Sequence, residues 1–195
     1  MLYINQNEYP HIPYPNNVSD PESKGAKNGN IKDAGCGICA LSMVVDRLTL
    51  KKLSLEEGVR LSCENKANLR PGTDMKILGP IVADLFDLDL RFSNNTWELA
   101  DCLRDGGCGI VHIGGDREGH YGTLSDVGHY VFAFSYSHGE FCLFDPAWRE
   151  NKYTIPERKG KIREDGLFLY TTSLVLEEDT ENRRPRFYLF RRKNA

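Results

Sequence analysis

The order of periodic segments along the chain constrains its fold more than any other feature. Apolar residues recur at helical spacing through much of the first half, whereas β-rich runs separated by glycine and polar turns fill the second half. The regular strand–helix–strand alternation that builds a parallel sheet is not seen. At 195 residues the chain has the length of a single domain. The pattern therefore predicts an α+β fold, with helices packed on an antiparallel sheet.

Four amphipathic helices are predicted, all in the first part of the chain. The clearest begins at Cys36 and keeps its apolar residues on one face as far as Leu48. Asp33 and Gly35 precede this helix and are expected to supply its cap and its turn. The other helices are predicted at 55–65, 75–86 and 97–104. Residues 1–35 are rich in Asn, Pro, Gly, Ser and Lys, and we expect them to form a loop-rich arm.

The predicted strands lie at 88–92, 109–113, 129–136 and 140–145. Residues 114–128 include five glycines among polar residues and predict a long loop, which in a compact domain is usually functional or disordered. Residues 167–177 and 186–192 are expected to pair as a second hairpin. We therefore expect a main domain over residues 1–150 and a β-rich extension, residues 151–195, packed on it.

Composition argues against several classes of protein. A net charge of -3 and a pI near 6.0 do not favour binding to nucleic acid. No apolar run reaches the roughly 18 residues that a membrane-spanning helix needs. The six cysteines are too few for a disulfide scaffold and lack the paired spacing of a structural zinc site. The first residues lack the features of a signal peptide, which favours a cytoplasmic protein, with secretion after loss of a leader as the alternative.

The segment Gly35-Cys36-Gly37, at the start of a predicted helix, is the most specific chemical feature. A cysteine in this position lies near unpaired backbone N–H groups and the positive end of the helix dipole, and both favour the nucleophilic thiolate. The flanking glycines let the backbone of a substrate approach. The alternative interpretation is a small buried side chain beside a tight turn.

A cysteine nucleophile needs a base, and the base needs an orienting group. Among the five histidines, His129 begins a predicted strand directly after the glycine-rich loop. If the hairpin turn centres on Ser137 and His138, His129 faces residues 145–147, where Asp145 can hold the imidazole in one tautomer. Asp145 also fits an ordinary Asp-Pro turn, and a shift of one residue in register would separate the pair.

These segments, in this order, resemble the papain-like cysteine peptidases that process bacteriocin precursors with a double-glycine leader. They also resemble the stand-alone relatives of these enzymes, the peptidase family called C39-like. The residues that carry the resemblance are Gln6, 35–37 with 40–44, 107–114, 128–131 and 144–146. It covers residues 3–148 and implies a papain-like fold, a peptide or protein substrate, and no metal or organic cofactor. Ile38 and Cys39 depart from it, because many relatives have Pro and a small residue there.

The resemblance also assigns four roles. It makes Cys36 the nucleophile, His129 the general base and acid, Asp145 the group that orients His129, and Gln6 a donor to the oxyanion. Taken alone, Gln6 also fits a polar surface residue. The resulting hypothesis is a cysteine-dependent peptidase or amide hydrolase.

Two other functions are compatible with the same residues. Cys36 and Cys39 form a CxxC motif at a helix start, which is typical of thiol–disulfide redox proteins, although no predicted strand precedes it closely. A catalytically inactive papain-like module that binds peptides is the second alternative.

Basic residues at 183–193 and acidic residues at 177–181 are expected to pair with each other on an exposed hairpin.

Overall fold

The computed structural model describes residues 1–16, 29–69 and 72–193. Part of the predicted N-terminal arm, residues 17–28, lies outside the described residues. Within them the chain forms six α-helices and a seven-stranded antiparallel sheet, which confirms the predicted α+β class. No helix in this described part of the chain is both long enough and apolar enough to cross a membrane.

The helices and strands follow one another in the order that the sequence pattern predicts until the C-terminal region. The helices are α1 (Ile31–Ala34), α2 (Cys36–Leu48), α3 (Leu55–Glu64), α4 (Met75–Leu85), α5 (Thr96–Arg104) and α6 (Ser173–Thr180), with a 3-10 helix at Gln6–Glu8. The strands are β1 (Asn68–Leu69), β2 (Gly72–Thr73), β3 (Leu88–Ser93), β4 (Cys108–Ile113), β5 (His129–Ser137), β6 (Glu140–Phe144), β7 (Arg163–Asp165), β8 (Phe168–Thr172) and β9 (Phe187–Arg192).

The large sheet has the strand order β3-β9-β4-β5-β6-β8-β7, and each neighbouring pair is antiparallel. Helix α2 packs chiefly against β5, and its residues from Gly37 to Val45 are all buried. Such a helix, apolar on nearly every side, is stable only inside a core. The packing fixes the first residue of α2, Cys36, near the first residue of β5, His129.

The hairpin of β5 and β6 is present, with a register that differs in detail from the expected one. Its two-residue loop is His138-Gly139, one residue later than expected, and both residues have positive φ (52° and 84°), as in the turns that suit hairpins. A bulge at 133–135 then shifts the pairing by one residue. The two differences nearly cancel, so His129 still faces residues 145–147.

The expected C-terminal hairpin is wrong. Strand β8 pairs with β6, the chain then forms α6, and β9 lies between β3 and β4 in the sheet. Residues 187–190 are all buried, so both faces of β9 are covered. A continuous apolar run is the pattern of a central strand, whereas an exposed hairpin alternates apolar and polar residues.

The cap expected for α2 is also wrong in part. Asp33 lies inside the short helix α1, where its backbone N–H bonds to the side chain of Asn30. Gly35 is the N-cap of α2, and no side chain caps this helix. Within the described residues no side-chain oxygen caps the N–H groups of its first turn, and the N–H of Gly37 bonds to the Cys36 sulfur.

Candidate active site

Three side chains from separate elements meet at the start of α2. Cys36 is the first residue of α2, His129 is the first residue of β5, and Asp145 directly follows β6. His129 Nε2 lies 2.7 Å from Asp145 Oδ1, and both side chains are buried. Because an ionised carboxylate only accepts hydrogen bonds, Nε2 carries the hydrogen of this bond. The remaining ring nitrogen, Nδ1, is left for the interaction with the Cys36 thiol.

Asp145 is held by further donors that sequence reasoning missed. Its Oδ2 accepts a hydrogen bond from Lys152 Nζ at 2.5 Å and another from the Tyr153 hydroxyl at 2.6 Å. Its Oδ1 also accepts the backbone N–H of Ala147 at 2.8 Å. Both carboxylate oxygens are therefore saturated, which is what a fully buried carboxylate requires.

Lys152 and Tyr153 lie beyond the segment in which the sequence pattern was informative. Both are buried, and a buried lysine almost always has a charged partner. A lysine between Asn151 and Tyr153 in a turn carries no periodic signal, so its burial could not be predicted. The only available hint was that a buried Asp145 beside His129 needs additional donors.

The electrostatics of Cys36 favour its thiolate. Burial by itself raises the pKa of a thiol, but the positive charge of His129, its hydrogen bond and the backbone N–H groups of Tyr130 and Gly37 outweigh burial. The net effect lowers the pKa of Cys36 below that of a free cysteine. The residue is only partly buried and lines two cavities.

His129 and Asp145 shift in the complementary directions. Burial lowers the pKa of His129, yet the negative charges of Asp145 and Cys36 raise it overall to about 9. Burial raises the pKa of Asp145, and the charges of Lys152 and His129 reverse this and hold it well below its usual range. The lowered pKa of Cys36 and the raised pKa of His129 both favour a thiolate beside an imidazolium, with Asp145 as the carboxylate.

The N-terminal arm is tied to the end of β6. The Tyr3 hydroxyl donates to the backbone oxygen of Asp145 at 2.9 Å, and Asn5 Nδ2 donates to that of Trp148 at 3.0 Å. The backbone N–H of Gln6 donates to the oxygen of Pro146 at 2.7 Å. These bonds join residues at least 140 positions apart and bring Gln6 to the site.

Gln6 is buried and lines the same cavity as Cys36 and His129. Its Nε2 donates to the backbone oxygen of Lys32 at 2.7 Å, which leaves one amide hydrogen of Nε2 without an assigned acceptor. Its Oε1 is buried and has no partner. A buried amide with incomplete hydrogen bonding in the same cavity as Cys36 is unlike an ordinary polar surface residue.

Two cavities meet at the cysteine. The larger, of about 570 Å³, is bordered by β2, the start of α4, β4 and the segment before β9. The smaller, of about 300 Å³, lies between the N-terminal arm, the end of the glycine-rich loop and residues 147–152. Cys36, Gly128 and His129 line both cavities, so the two cavities adjoin at these residues.

The predicted long loop, residues 114–128, is held by α6. The carboxylate of Asp179 is fully buried and accepts the N–H groups of Thr123 (2.9 Å) and Leu124 (2.6 Å), and it lies 3.0 Å from His120 Nε2. The expected pairing of this acidic segment with the basic residues near the C-terminus is therefore wrong. Asp179 instead fixes the loop whose last residues border the cleft.

Cys39 is placed differently from Cys36. It lies one turn further along α2, is fully buried, and is a free thiol. Burial, with the nearby charge of Cys36, raises the pKa of Cys39 far above that of a free cysteine. Cys39, one of the two positions that depart from the family pattern, is thus an inert part of the core.

No protein-family model and no curated protein matches the sequence. Among solved structures, a candidate C39-like peptidase from Bacillus anthracis superimposes with a TM-score of 0.54, at 10% identity, over 93% of this chain and 94% of that chain. The peptidase domain of Streptococcus ComA, a bifunctional ABC transporter of a quorum-sensing pathway, matches 57% of this chain and 71% of its own at 20% identity, with a TM-score of 0.42. The first of these likenesses spans nearly the whole molecule, and the chain has the papain-like fold of the C39-like peptidases.

Proposed function

We propose that the protein is a cysteine-dependent peptidase or amide hydrolase that forms an acyl-enzyme on Cys36. The observation that carries this proposal is the continuous contact from Cys36 through His129 to Asp145, located in a cleft at an uncapped helix start. A nucleophile, a base and an orienting group in this arrangement are the parts that acyl transfer requires. The substrate is a peptide or protein segment that can lie in the cleft.

The reaction transfers the acyl group first to the sulfur of Cys36 and then to water. The Cys36 thiolate attacks the carbonyl carbon, a C–S bond forms, and the carbonyl electron pair moves to oxygen. As the intermediate collapses, the C–N bond breaks and the imidazolium of His129 gives its Nδ1 proton to the leaving amine. His129 then takes a proton from water, the water oxygen attacks the thioester, and the C–S bond breaks to regenerate the thiolate.

The oxyanion of the intermediate needs donors directed at it. The backbone N–H of Cys36, at the start of α2, is one candidate, because no side chain occupies this position. The amide hydrogen of Gln6 Nε2 that does not bond to Lys32 is the other. Asp145 keeps the His129 ring in one orientation, and Lys152 balances its charge inside the core.

The redox alternative has less support. A disulfide exchange centre needs a second thiol that reaches its thiolate form, and Cys39 is fully buried with a strongly raised pKa. The inactive-module alternative is not supported by any residue substitution, because all four groups assigned to catalysis are retained and close together.

A peptide library produced from a whole proteome tests the proposal without knowledge of the substrate. We expect the purified protein to generate new peptide termini that mass spectrometry identifies, and a Cys36→Ala variant to generate none. A variant with the matched loss of another free thiol, Cys63→Ala on α3, should retain the activity. Equal numbers of new termini from the wild type and Cys36→Ala would overturn the proposal.

A further inference from the structure

The larger cavity beside Cys36 carries charges that the reaction does not use. Lys76 from the start of α4 and Arg183 and Arg184 from the segment before β9 line it, together with the carboxylate of Asp74. Three cations against one carboxylate make this part of the cleft positive, although the whole chain has a net charge of -3. The charge of this cavity is thus opposite in sign to the net charge of the chain, and it lies beside Cys36, where a substrate would bind.

These cations have no carboxylate partner within residues 1–16, 29–69 and 72–193. Arg183 donates to the backbone oxygens of Ile113 and Gly114, each at 3.2 Å, and Arg184 donates to backbone oxygens of its own segment. Lys76 has an exposed side chain and forms no ion pair in this part of the chain. Carbonyl oxygens position a guanidinium but leave its charge uncompensated.

Arg183 is held next to the catalytic pair. A Cβ atom at Gly128 would lie 2.7 Å from Nη2 of Arg183, so the guanidinium packs directly on the backbone that precedes His129. Only a glycine permits this close approach. Burial, together with the charges of Arg183 and Lys76, lowers the pKa of His112 to about 4, so His112 lines the same cavity as a neutral ring.

We propose that this cavity binds an acidic side chain, Asp or Glu, of the peptide whose carbonyl reacts with Cys36. The inference rests on the proposed function and adds the class of substrate to it. A carboxylate in this partly enclosed site would form charge-assisted hydrogen bonds to Arg184, Lys76 or the free face of Arg183. A neutral or basic side chain would leave the cations uncompensated and would gain no such bonds.

Protection of Cys36 from iodoacetamide measures this binding without requiring turnover. Two pools of hexapeptides, acetylated and amidated at their ends, are compared; they are identical except that Glu in one pool replaces Gln in the other. A third pool carries Gln and a free C-terminal carboxylate. We expect the Glu pool to protect Cys36 at about tenfold lower concentration than the Gln pool, as one charge-assisted hydrogen bond allows. The third pool should protect no better than the Gln pool.

Charge reversal assigns the effect to the cavity. The double variant Lys76→Glu, Arg184→Glu changes exposed side chains and should remove the advantage of the Glu pool. The matched control Lys51→Glu, Lys52→Glu reverses the same number of exposed charges past the far end of α2, a 13-residue helix, roughly 18 Å from Cys36. This control should keep the advantage.

The inference is overturned if the Glu and Gln pools protect equally, if no pool protects at millimolar concentration, or if the free carboxylate protects as well as the Glu side chain. The rate of labelling without peptide tests the proposed function separately. If Cys36 reacts no faster than a free cysteine, the peptidase proposal fails, whereas the comparison of pools still decides whether an acidic peptide binds.

Discussion

The two walls of the cleft are built in opposite ways. On one wall, Cys36 starts a helix with no side-chain cap, and this residue is only partly buried. On the other wall, His129 and Asp145 are buried, and both carboxylate oxygens are saturated by hydrogen bonds. The residue that we propose as the nucleophile is therefore only partly buried, whereas the two residues proposed to act on it are enclosed.

This difference has an energetic consequence. Because Cys36 is only partly buried, a change of its side chain should cost little free energy of unfolding. A buried ion pair is costly to break, because the remaining partner keeps its charge without compensation. Substitutions on the first wall should therefore change activity alone, and those on the second should change activity and stability together.

The largest effect is expected for Cys36→Ala. Because the nucleophile is removed, kcat/KM should fall by more than about 10⁴-fold. The urea midpoint should stay close to that of the wild type, because the thiol is only partly buried. Kinetic assays on a peptide from the library, with urea unfolding in parallel, check both statements. A large loss of stability would place Cys36 in the buried wall instead.

Lys152→Met should destabilise the buried wall. It leaves the carboxylate of Asp145 with a single charged partner, and breaking a buried pair costs about 3–5 kcal/mol in free energy of unfolding. With less positive charge near Asp145, the pKa of His129 should rise further. Urea unfolding and the pH dependence of Cys36 alkylation measure these two effects. Tyr153→Phe removes a neutral donor to the same oxygen and should cost clearly less.

Gln6→Ala should weaken catalysis without unfolding the protein. Loss of one donor to an oxyanion lowers kcat by about 10²–10³-fold. KM should change little, since the oxyanion exists only in the transition state and the intermediate. Steady-state kinetics separate the two parameters. An increase in KM with kcat unchanged would mean that Gln6 binds substrate rather than the oxyanion.

The smallest effect on activity is expected for Cys39→Ala. The buried thiol has no role in the proposed reaction, so kcat/KM should remain close to the wild-type value, with only a modest loss of stability from the smaller side chain. Assays of peptide cleavage and of insulin disulfide reduction compare the two functions. Loss of a measurable disulfide reductase activity in this variant would revive the redox alternative.

The sequence predicted those features that depend on local patterns. The periodicity after Cys36 indicated a buried helix, and the turn residues near His138 indicated the hairpin that brings His129 to Asp145. The bulge at 133–135 was not visible in the pattern, yet it corrected an error of one residue in the expected turn. Agreement at the site thus came partly from two compensating deviations.

Features that depend on distant contacts could not be predicted in the same way. The position of β9 in the middle of the sheet depends on pairing with β3 and β4, about 80 to 100 residues earlier. The burial of Asp179 depends on backbone N–H groups of the glycine-rich loop, and the burial of Lys152 depends on Asp145. The sequence does not distinguish a buried charged residue from a solvated one. The cluster of charges near the C-terminus therefore led to the prediction that Asp179 lies on an exposed hairpin.

The pH dependence of iodoacetamide labelling of Cys36, with adducts mapped by mass spectrometry, tests the central claim most directly. The reactive state needs the thiolate and the imidazolium together, so at mildly acidic pH Cys36 should be labelled faster than a free cysteine, because its lowered pKa leaves more of it ionised. The special reactivity should disappear above about pH 9, as His129 loses its proton, and His129→Ala should abolish it. Labelling that follows the titration of an ordinary thiol, in the wild type and in His129→Ala alike, would contradict the account.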